Sequence, residues 1–231
     1  MRKRKLIFLL IPVLLIGLGA ILLFDALSTY REGAALYEGI EEEVTTVEEN
    51  ALTIDWETLL AENPDIVGWI RLDPDISYPV VRGDDNDEYL RTGIDGEYNV
   101  GGSIFMDSRN TSWTDPHILV YGHHMRNNTM FGKLDLYQDS DFAKEHREIT
   151  VYTPEHTYHY RLSCIMKDTD GSYAYTMFDT DDFDKYFSYC SPKALWMAED
   201  ETEGPILTLS TCIGASGGLD RLLLRAVLIE D

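Results

Sequence analysis

Between residues 66 and 230 the chain breaks into short runs rich in β-branched and aromatic residues. They read "IVGWIRL", "ISYPVVR", "GGSIFMD", "HILVYGH", "EITVYTP", "TYHYRLSCIMK", "ILTLSTC" and "RLLLRAVLIE". Turn signals such as "DPD", "GDDND", "DGEYN" and "PEH" separate several of them. About eight short strands at this spacing predict a mainly β chain, closed or nearly closed into a barrel. One helical insertion, roughly residues 181–198, interrupts the late strands ahead of the penultimate one, and "AEDETEGP" then reads as an exposed acidic loop. A short helix in "DWETLLAE" precedes the strands, with Asp55 as its N-cap. It must stop before Asn63–Pro64, because the residue ahead of proline avoids helical geometry.

The N-terminus has a different character. After "MRKRK" comes "LIFLLIPVLLIGLGAILLF", residues 6–24, with no charge. A run of this length is enough to cross a bilayer as a helix, and the basic flank sets its N-terminus on the cytoplasmic side. The expectation is a cytoplasmic tail (1–5), a single-pass plasma-membrane anchor (6–24) and an extracytoplasmic remainder. A cleaved signal peptide is the competing reading, but no clear small-x-small cleavage site follows the run. Residues 25–54 are acidic, with apolar residues at rough helical intervals, and read as a helical stalk ahead of a folded domain over 55–231.

Charge excludes one class of partner. The net charge is -22, and beyond the basic tail 15 basic residues face 41 acidic ones. Such a surface repels nucleic acid, so no DNA or RNA partner is expected. The three cysteines, Cys164, Cys190 and Cys212, leave at least one thiol outside any disulfide. Cys164 and Cys190 read as small buried hydrophobes, with a disulfide between them as the alternative. There is no CxxC, no HExxH and no Cys/His set at zinc spacing, so no metal or other cofactor is implied.

The last two runs, "PILTLSTC" and "RLLLRAVLIE", flank a loop made mostly of Gly, Ser and Ala. Alternation puts Leu207 and Leu209 on one face and Thr208, Ser210 and Cys212 on the other. An antiparallel return brings Arg221 to the end where Cys212 sits. Arg225 shares its parity but lies four residues further along, and is the alternative. A nucleophilic thiol needs a proton partner, and there are six histidines to supply one. In "HILVYGHHM" a strand runs into Gly122, where the chain can turn and leave a side chain at its end. His123 and His124 are adjacent and should point differently; His117, at the strand start, reads as a surface residue, and His156 and His159 as solvated ones.

Taken together, "YGHHM", "LSTC" and an Arg nine residues after the Cys resemble the sortase signature. "LLAENPDIVGWIRL" with "ISYPVVRGDDNDEYL", then "GGSIFMDSRN", then "YGHHMRNNTMFGKL", resemble the class B sortases in order and spacing. The resemblance spans roughly residues 55–231. It implies a sortase-type eight-stranded barrel, and a membrane-tethered cysteine transpeptidase of a Gram-positive cell surface. Cys212 would be the nucleophile, His123 the proton donor, and Arg221 the group that steadies substrate and oxyanion. Asn86, Leu90, Tyr121 and Ser210 would line the peptide groove, with Thr169 and Tyr173 as weaker matches. The implied partners are a sorting peptide like Asn-Pro-x-Thr followed by Asn, Gly or Ser, and an amine from a cell-wall precursor or a pilin Lys.

The roles suit the chemistry. Acyl transfer passes through an oxyanion, for which Arg offers a permanent charge and a rigid fork of donors. Imidazole titrates near neutrality and can protonate a departing amine. Two other classes share these residues or dispense with them. A cysteine peptidase would use the same trio with water as acceptor, and a non-catalytic barrel would make the trio a coincidence. An L,D-transpeptidase is set aside, because Cys212 follows Thr211 and His123 lies 89 residues upstream.

Overall fold

The computed structural model describes residues 2–48, 51–178, 182–200, 204–213 and 218–230. The Gly/Ser/Ala turn at 214–217 and the centre of the acidic loop, 201–203, lie outside the described residues.

A long helix, α1 (Arg2–Val44), leads into a small hairpin of β1 (Thr45–Glu48) and β2 (Ala51–Ile54). A second helix follows, α2 (Trp56–Glu62). Asp55 caps it, accepting from the Thr58 N–H at 3.1 Å, and it ends at Asn63 ahead of Pro64. Every strand run expected from the sequence is present. They are β3 (Ile66–Leu72), β4 (Ile76–Val81), β5 (Ile104–Met106), β6 (His117–Tyr121), β7 (Glu148–Tyr152), β8 (Thr157–Thr169), β10 (Ile206–Cys212) and β11 (Asp220–Glu230). A short helix, α3 (Ser140–Glu145), precedes β7.

The sheet order is β11-β10-β6-β5-β4-β3-β7-β8, and β8 pairs with β11 to close the ring. Closure leaves eight strands without a free edge, which is why so many short strands are stable here. The ring is mixed: β4–β5 and β6–β10 run parallel, the other pairs antiparallel. Alternation fills the interior with Ile118 and Val120 of β6, Leu207 and Leu209 of β10, and Leu222, Leu224 and Ala226 of β11. Burying one such side chain is worth roughly 1.5–3 kcal/mol.

The insertion after β8 is only partly helical. It contains α4 (Phe183–Cys190), a 3-10 turn, and a further strand, β9 (Ala194–Met197), added to the C-terminal half of β8. It forms a second apolar layer over the outer face of the barrel. Leu119, Cys164, Met166, Ile206 and Leu223 meet Ala174, Tyr175, Tyr186 and Cys190 there. Cys164 and Cys190 are both buried, and no disulfide joins them. The same layer corrects the placing of His117 at the surface. Its ring is 1% exposed, stacked on Phe178, with Nδ1 2.9 Å from the Thr176 carbonyl and Nε2 3.0 Å from Thr208 Oγ1.

One expectation about the N-terminus changes. The segment read as a stalk is helical to Val44 and then forms the β1–β2 hairpin, and it packs on the barrel. Tyr37 is buried and donates to the Gly102 carbonyl at 2.7 Å, with its hydroxyl 2.9 Å from Ser103 Oγ. Val44 and Ile54 join the main core. The expected single-pass anchor over 6–24 is corrected, and with it the plasma-membrane placement. Among the described residues no helix is long and apolar enough to cross a membrane.

Candidate active site

Three adjacent strands bring the chemistry together at one rim of the barrel. β10 ends at Cys212, whose cross-strand partner on β11 is Arg221. On its other side β10 runs parallel to β6, with Ser210 beside Tyr121. The pairing continues past the strand end: the Gly122 N–H reaches the Ser210 carbonyl at 3.2 Å, and Thr211 Oγ1 donates to the Gly122 carbonyl at 2.9 Å. Gly122 is required by space. A Cβ there would lie 2.4 Å from Ile104 Cδ1 and 2.6 Å from Phe131 Cδ2. The chain can therefore turn tightly and deliver His123 to the rim, where the Phe131 N–H holds its carbonyl at 3.1 Å.

His123, Cys212 and Arg221 line one cleft of ≈ 390 Å³, together with Asn86, Leu90, Tyr121 and Ser210. Phe105, Asp170 and Thr211 complete its walls. Cys212 is half-buried. His123 Nε2 lies 2.8 Å from the Leu90 carbonyl. A carbonyl only accepts, so Nε2 carries the hydrogen and the neutral ring keeps Nδ1 for proton exchange. Burial lowers the pKa of His123 below its ordinary value; the Leu90 carbonyl opposes this, and the charges of Arg91 and Arg221 add to it.

Arg221 is held from two sides. Its Nη1 donates to the carbonyls of Gly218 and Asp220, at 2.7 and 3.2 Å, and its Nη2 to Asp170 Oδ2 at 2.9 Å. Arg225, the alternative cation, is elsewhere. It is fully buried, with Nε 3.2 Å from Ser163 Oγ and its guanidinium 4.3 Å over the Phe187 ring.

The groove wall is built on a carboxylate that the sequence did not single out. Asp107 follows β5 and its side chain is fully buried. It accepts from Tyr121 Oη at 2.7 Å, Asn86 Nδ2 at 3.1 Å, and Arg109 Nε and Nη2 at 2.8 and 2.7 Å. Burial pushes this carboxyl up, but the bonds from Arg109 and Tyr121 outweigh it and hold the pKa at about 2. Ser210 is buried against Tyr175, hydroxyl to hydroxyl at 2.8 Å, and the Tyr175 ring stacks parallel to Tyr121.

Thr169 and Tyr173 fall outside the cleft. Thr169 is exposed at the end of β8, and Tyr173 packs edge-on against Tyr189 with Lys185 over its ring. Their neighbours take those places: Asp170 lines the cleft and Tyr175 backs Ser210. Nothing local in the sequence marks Asp107, Asp170 or Tyr175. They become visible only when Phe105 is laid against Tyr121 across β5–β6 and Arg221 against Asp168 across β8–β11.

Comparison with known proteins agrees with this architecture. The sortase domain family matches residues 71–229. Sortase B of Listeria monocytogenes is 34% identical over 156 residues, which cover 65% of this chain and 63% of that protein, somewhat under two thirds of its length. The crystal structure of sortase B from B. anthracis in complex with AAEK1 superposes with a TM-score of 0.77 at 29% identity, covering 89% of this chain and all of that one. The Staphylococcus aureus sortase B-substrate complex gives a TM-score of 0.73 at 28% identity, over 87% and 97% of the two chains. The fold, the cleft and these relatives lead to one statement: the chain belongs to the sortase family of cysteine transpeptidases, alongside the class B sortases.

Proposed function

We propose that the cleft around Cys212 cleaves a sorting peptide after Thr and passes the acyl group to an amine. The convergence of Cys212, His123 and Arg221 from three neighbouring strands carries this reading. The Cys212 sulfur attacks the Thr carbonyl carbon, and the oxyanion that forms is met by the Arg221 fork. His123, protonated at Nδ1, gives that proton to the departing amine as the C–N bond breaks. A thioacyl-enzyme remains. The acceptor amine attacks the thioester, His123 takes its proton, and the thiolate leaves with a new amide formed.

The peptide is of the Asn-Pro-x-Thr type followed by Asn, Gly or Ser, lying along Asn86, Leu90, Tyr121 and Ser210. The similar fold of the Staphylococcus aureus sortase B-substrate complex supports a substrate-binding reading of this chain. The acceptor is a cell-wall precursor amine or a pilin Lys. Mass spectrometry of the full chain with an Asn-Pro-Gln-Thr-Asn peptide and oligoglycine tests the reading. The expected result is a thioacyl adduct on Cys212, absent in Cys212→Ala, followed by ligated peptide. An adduct that persists in Cys212→Ala overturns the assignment, and hydrolysis without ligation makes the protein a peptidase.

A further inference from the structure

Asp107 is spent entirely on groove residues and their support. Its Oδ2 accepts from Tyr121, Asn86 and Arg109, and its Oδ1 from the Arg109 backbone N–H and Nε. Asn86 is fixed at its other end as well, because its Oδ1 accepts the Ser108 N–H at 2.8 Å. The amide of Asn86 therefore cannot flip without losing both bonds. Its oxygen is used, one amide hydrogen is used, and the second hydrogen is available to the cleft. Tyr121 gives its only hydrogen to Asp107, so its oxygen meets the cleft as an acceptor.

We propose that Asp107 is a positioning residue that sets the hydrogen-bond polarity of the groove wall, fixing an N–H donor at Asn86 beside an oxygen acceptor at Tyr121. The inference rests on the peptide-cleft reading above and deepens it. A chain that docks here must present a carbonyl to Asn86 and an N–H or hydroxyl to Tyr121. An extended peptide backbone supplies both at neighbouring positions, which an ester-linked backbone does not. Asparagine at 107 cannot reproduce the arrangement. Its amide offers one oxygen and one NH2, while every neighbour named above is a donor. One NH2 must then face a donor, and Asn86 or Tyr121 has to turn away.

The test compares steady-state kinetics of the full chain with Asp107→Asn, Asn86→Ala and the double variant, using an Asn-Pro-Gln-Thr-Asn peptide and oligoglycine. Asp107→Asn is expected to raise the peptide KM about tenfold with kcat changed less than about threefold. The double variant is expected to lose less than the two single effects combined, since Asp107 acts in part through the Asn86 amide and in part through Tyr121. Arg109→Gln, at a half-exposed position, removes the clamp on Asp107 without emptying the site. It is expected to raise KM in the same direction, and it serves where Asp107→Asn does not fold. An unchanged KM in Asp107→Asn and Arg109→Gln, or a fall in kcat alone, overturns the proposal while leaving the peptidyl-transfer reading intact. Additive losses in the double variant overturn it too. A wild-type chain that neither acylates nor binds a peptide library overturns both.

Discussion

Cys212 and Arg221 are direct partners across the β10–β11 pair, so the thiol and the guanidinium share one rung of the barrel. The β10–β11 ladder sets their register, and β6 and β8 flank it on either side. Arg221→Ala should lower the acylation rate by about 10²–10³, the usual cost of one oxyanion donor. Arg221→Lys should recover little, because a point charge does not replace a fork. Single-turnover mass spectrometry of the acyl-enzyme checks both.

Asp170 holds the other side of that guanidinium at 2.9 Å. Asp170→Ala should lower kcat about tenfold, because a group that drifts by an ångström is costly in a preorganised site. Stability should move by less than about 1 kcal/mol, as for other half-exposed ion pairs. Kinetics and a urea titration together separate the two effects; a stability loss with unchanged kcat would contradict the holding role.

His123 should titrate below its ordinary value, because burial is reinforced by Arg91 and Arg221. The acid limb of the rate profile should sit correspondingly low. Arg91→Gln removes one of the two charges and should move the His123 titration upward. NMR of the imidazole carbons measures this; no upward movement would mean that burial alone sets the pKa.

His117 is neutral and buried, with its pKa lowered to about 4, chiefly by burial. The folded pKa lies below the unfolded one, so the unfolded chain takes the proton first as pH falls. Stability is complete above about pH 6.5 and drains away between there and pH 4, by about 3 kcal/mol from this one residue. Urea unfolding at pH 7 and pH 4.5 should show it, with a shallower loss in His117→Gln.

Tyr37 ties α1 to the segment entering β5, through Gly102 and Ser103. Tyr37→Phe should cost about 1–2 kcal/mol, since it leaves a buried carbonyl and hydroxyl short of a partner. A chain beginning at residue 56 should lose more, because Val44 and Ile54 leave the core with it. Thermal melts of the two variants give the order.

The strands and the pairing of Cys212 with Arg221 were legible because both depend on short-range rules. Period-two alternation and turn residues found all eight barrel strands, and the symmetry of a hairpin paired Cys212 with Arg221. What was missed depends on distant neighbours. β9 spans four residues, too few to show a period inside a helical insertion. His117 lies on the outward face, as alternation requires, but only the fold shows that α4 and Phe178 cover that face. Thr169 lies one residue before Asp170, which lines the cleft, and Tyr173 two before Tyr175, which backs Ser210; a loop carries no periodicity to fix which side chain turns inward.

Barrel closure and completion of the site are one event. β11 brings Arg221 beside the thiol and, in the same motion, seals the gap between β8 and β10. On a ribosome, β6 and β10 emerge first, leaving an open sheet edge and a sulfur with no cation on its rung. A nascent or truncated chain that stops before Asp220 therefore lacks that cation and is prone to pair with other exposed strands. The rim that holds the thiol and the guanidinium is complete only once the last strand has docked.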